Sequence, residues 1–117
     1  MRIVLFIAFL AIALFQFTFI DLVFAAEISN GAKIFHSNCS SCHIGGGNIL
    51  IAEKTLKKDA LSKYLKDYDT DSMQSIIYQV QNGKNAMPAF KSKLSEQEIL
   101  EVAAYVFQKA EQDWQDS

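Results

Sequence analysis

The residues with the clearest chemistry are two cysteines and a histidine in the run Cys39-Ser40-Ser41-Cys42-His43. The C-x-x-C-H spacing sets two thiols one helical turn apart, which suits thioether bonds to the two vinyl groups of one haem. His43 then offers an imidazole to the haem iron. Because the chain has no other cysteine, thiol chemistry is confined to this run. The motif therefore predicts one covalently bound haem c per chain.

Three other uses of these residues compete with haem attachment. Zinc could bind Cys39, Cys42, His43 and His36, but structural zinc usually draws its ligands from two separated pairs, and the sequence has no second pair. A thioredoxin-like dithiol belongs beside a βαβ pattern, which the sequence lacks. A plain disulfide between the two cysteines would leave His43 without a role. Haem attachment uses every residue of the motif and is the favoured interpretation.

A methionine on a loop supplies the second chemical signal. Met87 precedes Pro88, which fixes the backbone and prevents a helix from running through this stretch. The thioether of Met87 is predicted to point inward as the second axial iron ligand. The rival, Met73, lies on the apolar stripe of a predicted helix, where methionine usually fills gaps. With His43 and Met87 both bound, the iron has no open position, so the pair predicts outer-sphere electron transfer and not catalysis.

Helices must position these residues, because no strand-length run with a period of two is present. The pattern predicts a small all-α fold in which about four helices wrap around one haem. The apolar stripes and capping signals place these helices at residues 29–38, at residues 59–65, from Thr70 or Asp71 to the stop at Gly83, and from the capping box Ser95–Glu98 onward.

Three aromatic residues and one histidine can also be assigned to the core or the surface. Phe35, Tyr78 and Phe90 are predicted to be core aromatics, since aromatic side chains make up much of any small core. His36 lies outside the C-x-x-C-H motif and is predicted to be a surface or packing histidine.

The amino-terminal segment has the pattern of an export signal. Arg2 is followed by an apolar run over residues 3–20 and then by Val23-Phe24-Ala25-Ala26, which offers small or modest residues at the −3 and −1 positions of a cleavage site. This predicts a Sec-type signal peptide, residues 1–25, cleaved after Ala25, and one mature domain over residues 26–117. A retained membrane anchor is the alternative, because the run approaches the length of a bilayer span. Since no Ser- and Arg-rich transit peptide is apparent, a cyanobacterial or plastid-encoded origin is expected.

Charge and size limit the possible partners of the mature domain. Without Arg2 and Asp21, the totals of 11 basic and 13 acidic residues become ten lysines against twelve Asp and Glu. A net negative domain is an unlikely partner for nucleic acid, and none is expected. A domain of this size buries little apolar surface, so a large flat cofactor is expected to complete its core.

The sequence resembles the class I c-type cytochromes and, within them, the cytochrome c6 family of soluble photosynthetic carriers. The similarity runs from Ala26 to Trp114. The C-x-x-C-H motif alone indicates only c-type haem, whereas a long matching stretch narrows the family. The matching parts are Asn30-Gly31, the run from Cys39 to His43, Asn48, Lys54-Thr55-Leu56, and the stretch from Tyr78 to Phe90.

The resemblance implies a monomeric carrier in the thylakoid lumen of a plastid or cyanobacterium, with no stable membrane insertion after signal cleavage. It implies that the cytochrome b6f complex gives it electrons and that photosystem I accepts them. It also implies that Asn48, Lys54 and Gln79 line the haem, with Gln79 tuning the iron through a polar contact.

One position departs from the family pattern. Members commonly have Gly-Gly-Arg-Leu after the methionine loop, where this chain has Lys91-Ser92-Lys93-Leu94. Lys93 keeps the positive charge but loses the planar fork of arginine. Lys93 is therefore the expected docking residue for an acidic partner patch, with weaker or differently steered docking.

Two other functions stay open. One is a c-type carrier of the bacterial periplasm that donates electrons to a respiratory oxidase and differs only in its partner. The other is a haem-bearing module that stays anchored to the membrane. An enzyme such as a peroxidase would require Met87 to leave the iron, so an enzymatic role is not expected.

Overall fold

The structure is a computed structural model that describes residues 1–115. A 3-10 turn follows the second helix at Ile44–Gly46, and within residues 1–115 the only extended pairing is one isolated antiparallel bridge between Lys84 and Met87. The predicted all-α fold is confirmed. The helices are α1 (Arg2–Asn38), α2 (Ser40–His43), α3 (Lys58–Tyr64), α4 (Ser72–Asn82) and α5 (Glu96–Glu111).

Helix α4 begins and ends where its capping residues predict, and helix α5 begins where its capping box predicts. The carboxylate of Asp71 accepts a hydrogen bond from the backbone N–H of Gln74 and starts α4, and Gly83, with φ of 64°, ends it. Ser95 and Glu98 form the complete capping box at the start of α5. These caps satisfy backbone groups that a helix end leaves unpaired.

Helix α1 is longer than the sequence predicts. The expected first helix, residues 29–38, is only its last part, because residues 2–30 contain neither Gly nor Pro to break the helix. Its amino-terminal portion is almost wholly exposed and is long and apolar enough to cross a membrane by length and composition, a test that export signals also pass. Cleavage after Ala25 and anchoring therefore both remain predictions.

The core lies between the end of α1, α4 and α5. Gly31 brings α1 against α5 so closely that a Cβ at this position would lie 2.1 Å from the backbone oxygen of Glu101. One turn later Phe35 is buried, with its ring centroid 5.4 Å from that of Tyr105 and 5.3 Å from that of Trp114. This aromatic cluster packs the end of α1 against α5 and the residues that follow it.

Two of the three predicted core aromatics are confirmed and one is wrong. Phe35 and Phe90 are buried, but Tyr78 is 65% exposed. The buried positions of α4 include Ile76 and Val80, and Tyr78 lies two residues from each, so at 100° per residue it faces nearly the opposite side. His36 is exposed, as predicted for a surface histidine.

Candidate haem-binding site

A single cavity of about 320 Å³ collects the chemically capable residues of the sequence. Its walls are mainly apolar and come from the end of α1, from α2 to α5, and from the loops around residues 48–56 and 84–90. The cavity is lined by every predicted thioether, axial and haem-lining residue: Cys39, Cys42, His43, Asn48, Lys54, Gln79 and Met87.

Helix α2 is a single turn that carries the C-x-x-C-H motif. The backbone N–H groups of Cys42 and His43 both donate to the Cys39 carbonyl, at 3.1 and 2.9 Å. This turn sets both cysteines toward one cavity, and both are free thiols. Burial, with a smaller Coulombic contribution from Cys42, raises the pKa of the Cys39 thiol to about 11.

His43 is the last residue of α2, and one nitrogen of its ring is hydrogen-bonded to the backbone. Its Nδ1 lies 2.9 Å from the carbonyl oxygen of Gly47, in the turn that follows. A hydrogen bond from Nδ1–H to a backbone carbonyl fixes the tautomer and leaves Nε2 available to a metal. His36 is exposed and outside the cavity wall, so the structure does not bring it to the motif as a zinc ligand.

Met87 lies in a tight turn between α4 and α5. Lys84 and Met87 exchange two backbone hydrogen bonds of 3.0 Å, and Asn85 between them has φ of 53°. The Nε2 atom of Gln79 lies 3.9 Å from Met87 Sδ. Met73, in contrast, packs partly buried against the core and does not line the cavity. The structure therefore places Met87, and not Met73, in the wall of the cavity.

Asn48 and Lys54 are connected to each other. Asn48 Nδ2 donates to the carbonyl oxygen of Lys54 at 3.0 Å, while its Oδ1 accepts from the backbone N–H groups of Leu50 and Ile51 at 3.0 and 2.9 Å. Asn48 thus holds the whole loop over the cavity. The ammonium of Lys54 lies 5.6 Å from the ring centroid of Tyr64, another wall residue.

Several wall residues were not singled out from the sequence. Leu50, Ile51 and Tyr64 line the cavity although each is exposed. For Leu50 and Ile51 the signal is the presence of large apolar side chains in a short loop between helices, because a loop with such residues needs something to cover them. Lys93 is exposed outside the cavity wall, with its Nζ 5.5 Å from the ring centroid of the wall residue Phe90.

The donor set of the cavity fits a covalent haem. Two thiols lie on one helical turn, an imidazole keeps Nε2 unused, and a thioether enters from a different loop. Apolar walls suit the flat porphyrin, and the combination of imidazole and thioether is one that holds haem iron in c-type cytochromes. No group of three or more His, Cys, Asp or Glu in residues 1–115 is arranged to hold a bare metal ion.

Comparisons with known proteins identify several similar chains. Residues 26–106 match the family described as cytochrome c oxidase, cbb3-type, subunit III. The chain is 55% identical over 105 residues to a cytochrome c6 of Nostoc, covering 90% of this chain and 91% of the relative. It is 54% identical over 91 residues to a cytochrome c6 of Synechococcus, covering 78% of each.

A solved structure shows the same fold. The crystal structure of cytochrome c6 from the diatom Phaeodactylum tricornutum superposes with a TM-score of 0.71 at 52% sequence identity. The match covers 74% of this chain and 98% of the diatom chain.

Proposed function

Because the chain belongs to the cytochrome c6 family, and its residues 26–106 to the family described as cbb3-type oxidase subunit III, we propose that it carries electrons from the cytochrome b6f complex to photosystem I. The membership establishes a carrier with one covalently bound haem c, and not an enzyme. When bound, the haem supplies a one-electron ferric–ferrous couple.

The convergence of four residues on one cavity carries this proposal. Cys39 and Cys42 attach the haem through thioether bonds, His43 binds the iron through Nε2, and Met87 binds it through Sδ. All four line the same cavity although 44 residues separate the histidine from the methionine in sequence. The Gly47 carbonyl holds the imidazole ring. With both residues bound, the iron would have no open position for substrate, and it would supply one-electron transfer only.

Three further residues of the cavity wall are proposed to modify the haem environment. Gln79, whose Nε2 lies 3.9 Å from Met87 Sδ, draws electron density from the sulfur and so favours ferrous iron. Asn48 supports the loop that covers the haem, through its hydrogen bonds to Lys54, Leu50 and Ile51. Lys54 places a positive charge at the cavity wall, where it offsets the propionate charges of the haem.

The partner is proposed to dock beside the covering loop. Ile44, Ile49 and Leu50 are each more than 60% exposed, and Leu50 also lines the cavity, so an apolar surface lies near the haem. Lys93 lies against Phe90, another residue of the cavity wall, and adds a positive charge. Apolar contact with a nearby charge suits a transient complex, because charge steers encounter more than it strengthens binding.

The proposed location of the carrier is the thylakoid lumen. We propose that export is followed by cleavage after Ala25, which leaves a monomeric domain over residues 26–117. The exposed amino-terminal part of α1 makes few contacts with the domain and can be removed without opening the core. Mass spectrometry of the protein purified from a photosynthetic host should give Ala26 as the first residue, and recovery with membranes as an intact chain would favour the anchored module.

Flash photolysis with photosystem I particles tests the electron route. The reduced protein should re-reduce the flash-oxidised reaction centre, and at low salt Lys93→Glu should slow this reaction by about three- to tenfold, because steering is electrostatic. Lys66→Glu is the matched control, since Lys66 is exposed, outside the cavity wall and not part of the proposed docking surface. Equal rates for the two variants would remove Lys93 from the docking surface.

A respiratory role is the second candidate, favoured by the oxidase family to which residues 26–106 match. Oxygen uptake by oxidase-containing membranes supplied with the reduced protein separates the two functions. Rapid oxygen uptake with no re-reduction of photosystem I would replace the photosynthetic assignment by the respiratory one.

A further inference from the structure

The tryptophan at the carboxyl-terminal end of the described chain is buried without lining the haem cavity. Trp114 is the only tryptophan in the sequence and is 5% exposed. It follows α5 in a left-handed backbone conformation, with φ of 58°. A large side chain in such a conformation is uncommon and is retained where the surroundings fix it. The contacts of the indole ring show what fixes it.

The indole is bonded to the loop that leads away from the C-x-x-C-H motif. Trp114 Nε1–H donates to the Leu56 carbonyl at 2.9 Å, and the Leu56 N–H donates to the Gly46 carbonyl at 2.7 Å. The indole ring also lies directly against Gly46, where an added Cβ would be 2.3 Å from Trp114 Cδ2. Trp114 therefore contacts Gly46 by its ring face and reaches it again through Leu56.

The next residue in the chain completes a connection to the iron ligand. Gly47, covalently joined to Gly46, offers the carbonyl oxygen that lies 2.9 Å from His43 Nδ1. Because Gly46 is bonded directly to Gly47, a shift of Gly46 displaces the residue that carries this oxygen. The position of the Gly47 carbonyl, and with it the ring of His43, therefore depends on where the indole holds Gly46 and Leu56.

We propose that Trp114 is a positioning residue for His43, acting through Leu56, Gly46 and the Gly47 carbonyl. The proposal rests on the proposed function in one respect, that His43 Nε2 binds iron. A firm bond from Nδ1–H to a carbonyl makes imidazole a better electron donor and favours ferric iron. Loosening the turn weakens that bond, so loss of the indole N–H should shift the equilibrium toward ferrous iron and expose Nδ1–H to solvent.

Replacement of one atom tests this proposal. Because Trp114 is the only tryptophan, biosynthetic incorporation of benzothienylalanine puts sulfur in place of Nε1–H at this position alone. At a fixed ambient potential the ferrous-to-ferric ratio should rise about threefold, which is about 30 mV at 59 mV per tenfold for one electron. In the reduced protein, hydrogen exchange of the His43 Nδ1 proton, followed by NMR, should accelerate about tenfold.

Two variants separate positioning from packing. Trp114→Phe, made genetically, also removes the donor and should shift the potential in the same direction. Tyr105→Leu loosens the same aromatic cluster, because the Tyr105 ring lies 6.0 Å from that of Trp114, but leaves the bond to Leu56 intact. It should lower stability and leave the potential and the exchange rate unchanged.

Three outcomes have distinct meanings. An unchanged potential and exchange rate in the benzothienylalanine protein would overturn the proposal and leave Trp114 a packing residue. A shift of equal size in Tyr105→Leu would also overturn it, because general loosening would then explain the effect. A natural protein without the sulfur-to-iron charge-transfer band would instead contradict the assignment of Met87, which is measured separately from His43 exchange.

Discussion

The two segments that present the predicted iron ligands are held in different ways. The His43 segment, residues 39–56, continues from α1 and is tied to the end of the chain by the bond between Trp114 and Leu56, which are 58 positions apart. The Met87 segment, residues 83–90, is fixed by the exchange of bonds between Lys84 and Met87 and by the bond from the Phe90 N–H to the Val80 carbonyl. One segment depends on distant parts of the fold and the other on its neighbours.

This difference predicts which ligand is released first. A segment held by local contacts can open while the remaining structure persists, whereas a segment tied across the chain opens only with much of the fold. The Met87 side should therefore exchange its ligand under conditions in which the His43 side is intact. The following substitutions are chosen to disturb one segment at a time.

Gly46→Ala should cause the largest loss of stability, because it changes the His43 segment at its contact with Trp114. Gly46 has φ of 76°, and a Cβ there would lie 2.3 Å from the indole. Together the backbone strain and the clash should cost about 3–5 kcal/mol of unfolding free energy, measured by guanidinium denaturation. Gly45→Ala is the matched control, since Gly45 has φ of 58° with nothing within 4 Å of the added Cβ. It should cost about 1–2 kcal/mol, and equal losses would show that Trp114 does not constrain this turn.

Gly83→Ala should disturb the Met87 segment without opening the fold. Gly83 has φ of 64° and ψ of −176°, a combination that only glycine adopts easily, and a Cβ there would lie 2.4 Å from the Met87 carbonyl. The strain, about 2–3 kcal/mol, should be relieved by movement of the loop, with loss of the sulfur-to-iron absorption band. Asn85→Gly, at φ of 53°, should keep the band. Global unfolding of Gly83→Ala would contradict the local character of this segment.

Gln79→Leu should alter the ligand sulfur without moving the loop. Loss of the N–H group 3.9 Å from Met87 Sδ should make the sulfur a stronger donor and lower the midpoint potential. For a contact worth about 1 kcal/mol the decrease is about 40 mV, measured by redox titration. Gln74→Leu on the same helix is the control, because Gln74 is exposed and outside the cavity. An unchanged potential in Gln79→Leu would remove Gln79 from the tuning role.

Tyr68→Phe lies outside both segments and should have the smallest effect. The Tyr68 hydroxyl is buried with no hydrogen-bond partner among residues 1–115, and burial raises its pKa. Because ionisation is harder in the folded state, wild-type stability should fall as the pH rises above about 10, the ordinary tyrosine pKa. The variant should be as stable at neutral pH, or up to about 1 kcal/mol more stable, and lose less in alkali.

Denaturation at several pH values measures the effect of Tyr68→Phe. Some alkaline loss should persist, since burial also raises the pKa of Tyr105. A neutral-pH destabilisation greater than about 1 kcal/mol would show that the Tyr68 hydroxyl has a favourable interaction.

The parts of the fold that obey local rules could be predicted from sequence. The caps of α4 and α5 at Asp71, Gly83 and Ser95 act within a few residues, so their residue types suffice to locate the helix ends. The C-x-x-C-H motif and the proline after Met87 are local as well, so the residue types around them suffice to identify the candidate ligands.

The parts that depend on distant contacts could not be predicted. Helix α2 is one turn and too short for a periodic signal. The exposure of Tyr78, in contrast, follows from helical geometry, because Ile76 and Val80 are buried on the other face of α4. The role of Trp114 depends on a contact with Leu56, 58 positions earlier, and no local pattern reports such a contact.

The central claim is that His43 and Met87 hold the iron between two differently supported segments. Near-infrared absorption of the oxidised mature protein tests it most directly. The sulfur-to-iron charge-transfer band should be present in the natural protein and in Met73→Ala, and absent from Met87→Ala. Met73→Ala removes a side chain that packs against the core without lining the cavity, so it controls for loss of stability. A band that survives Met87→Ala, or that the natural protein lacks, would contradict the assignment.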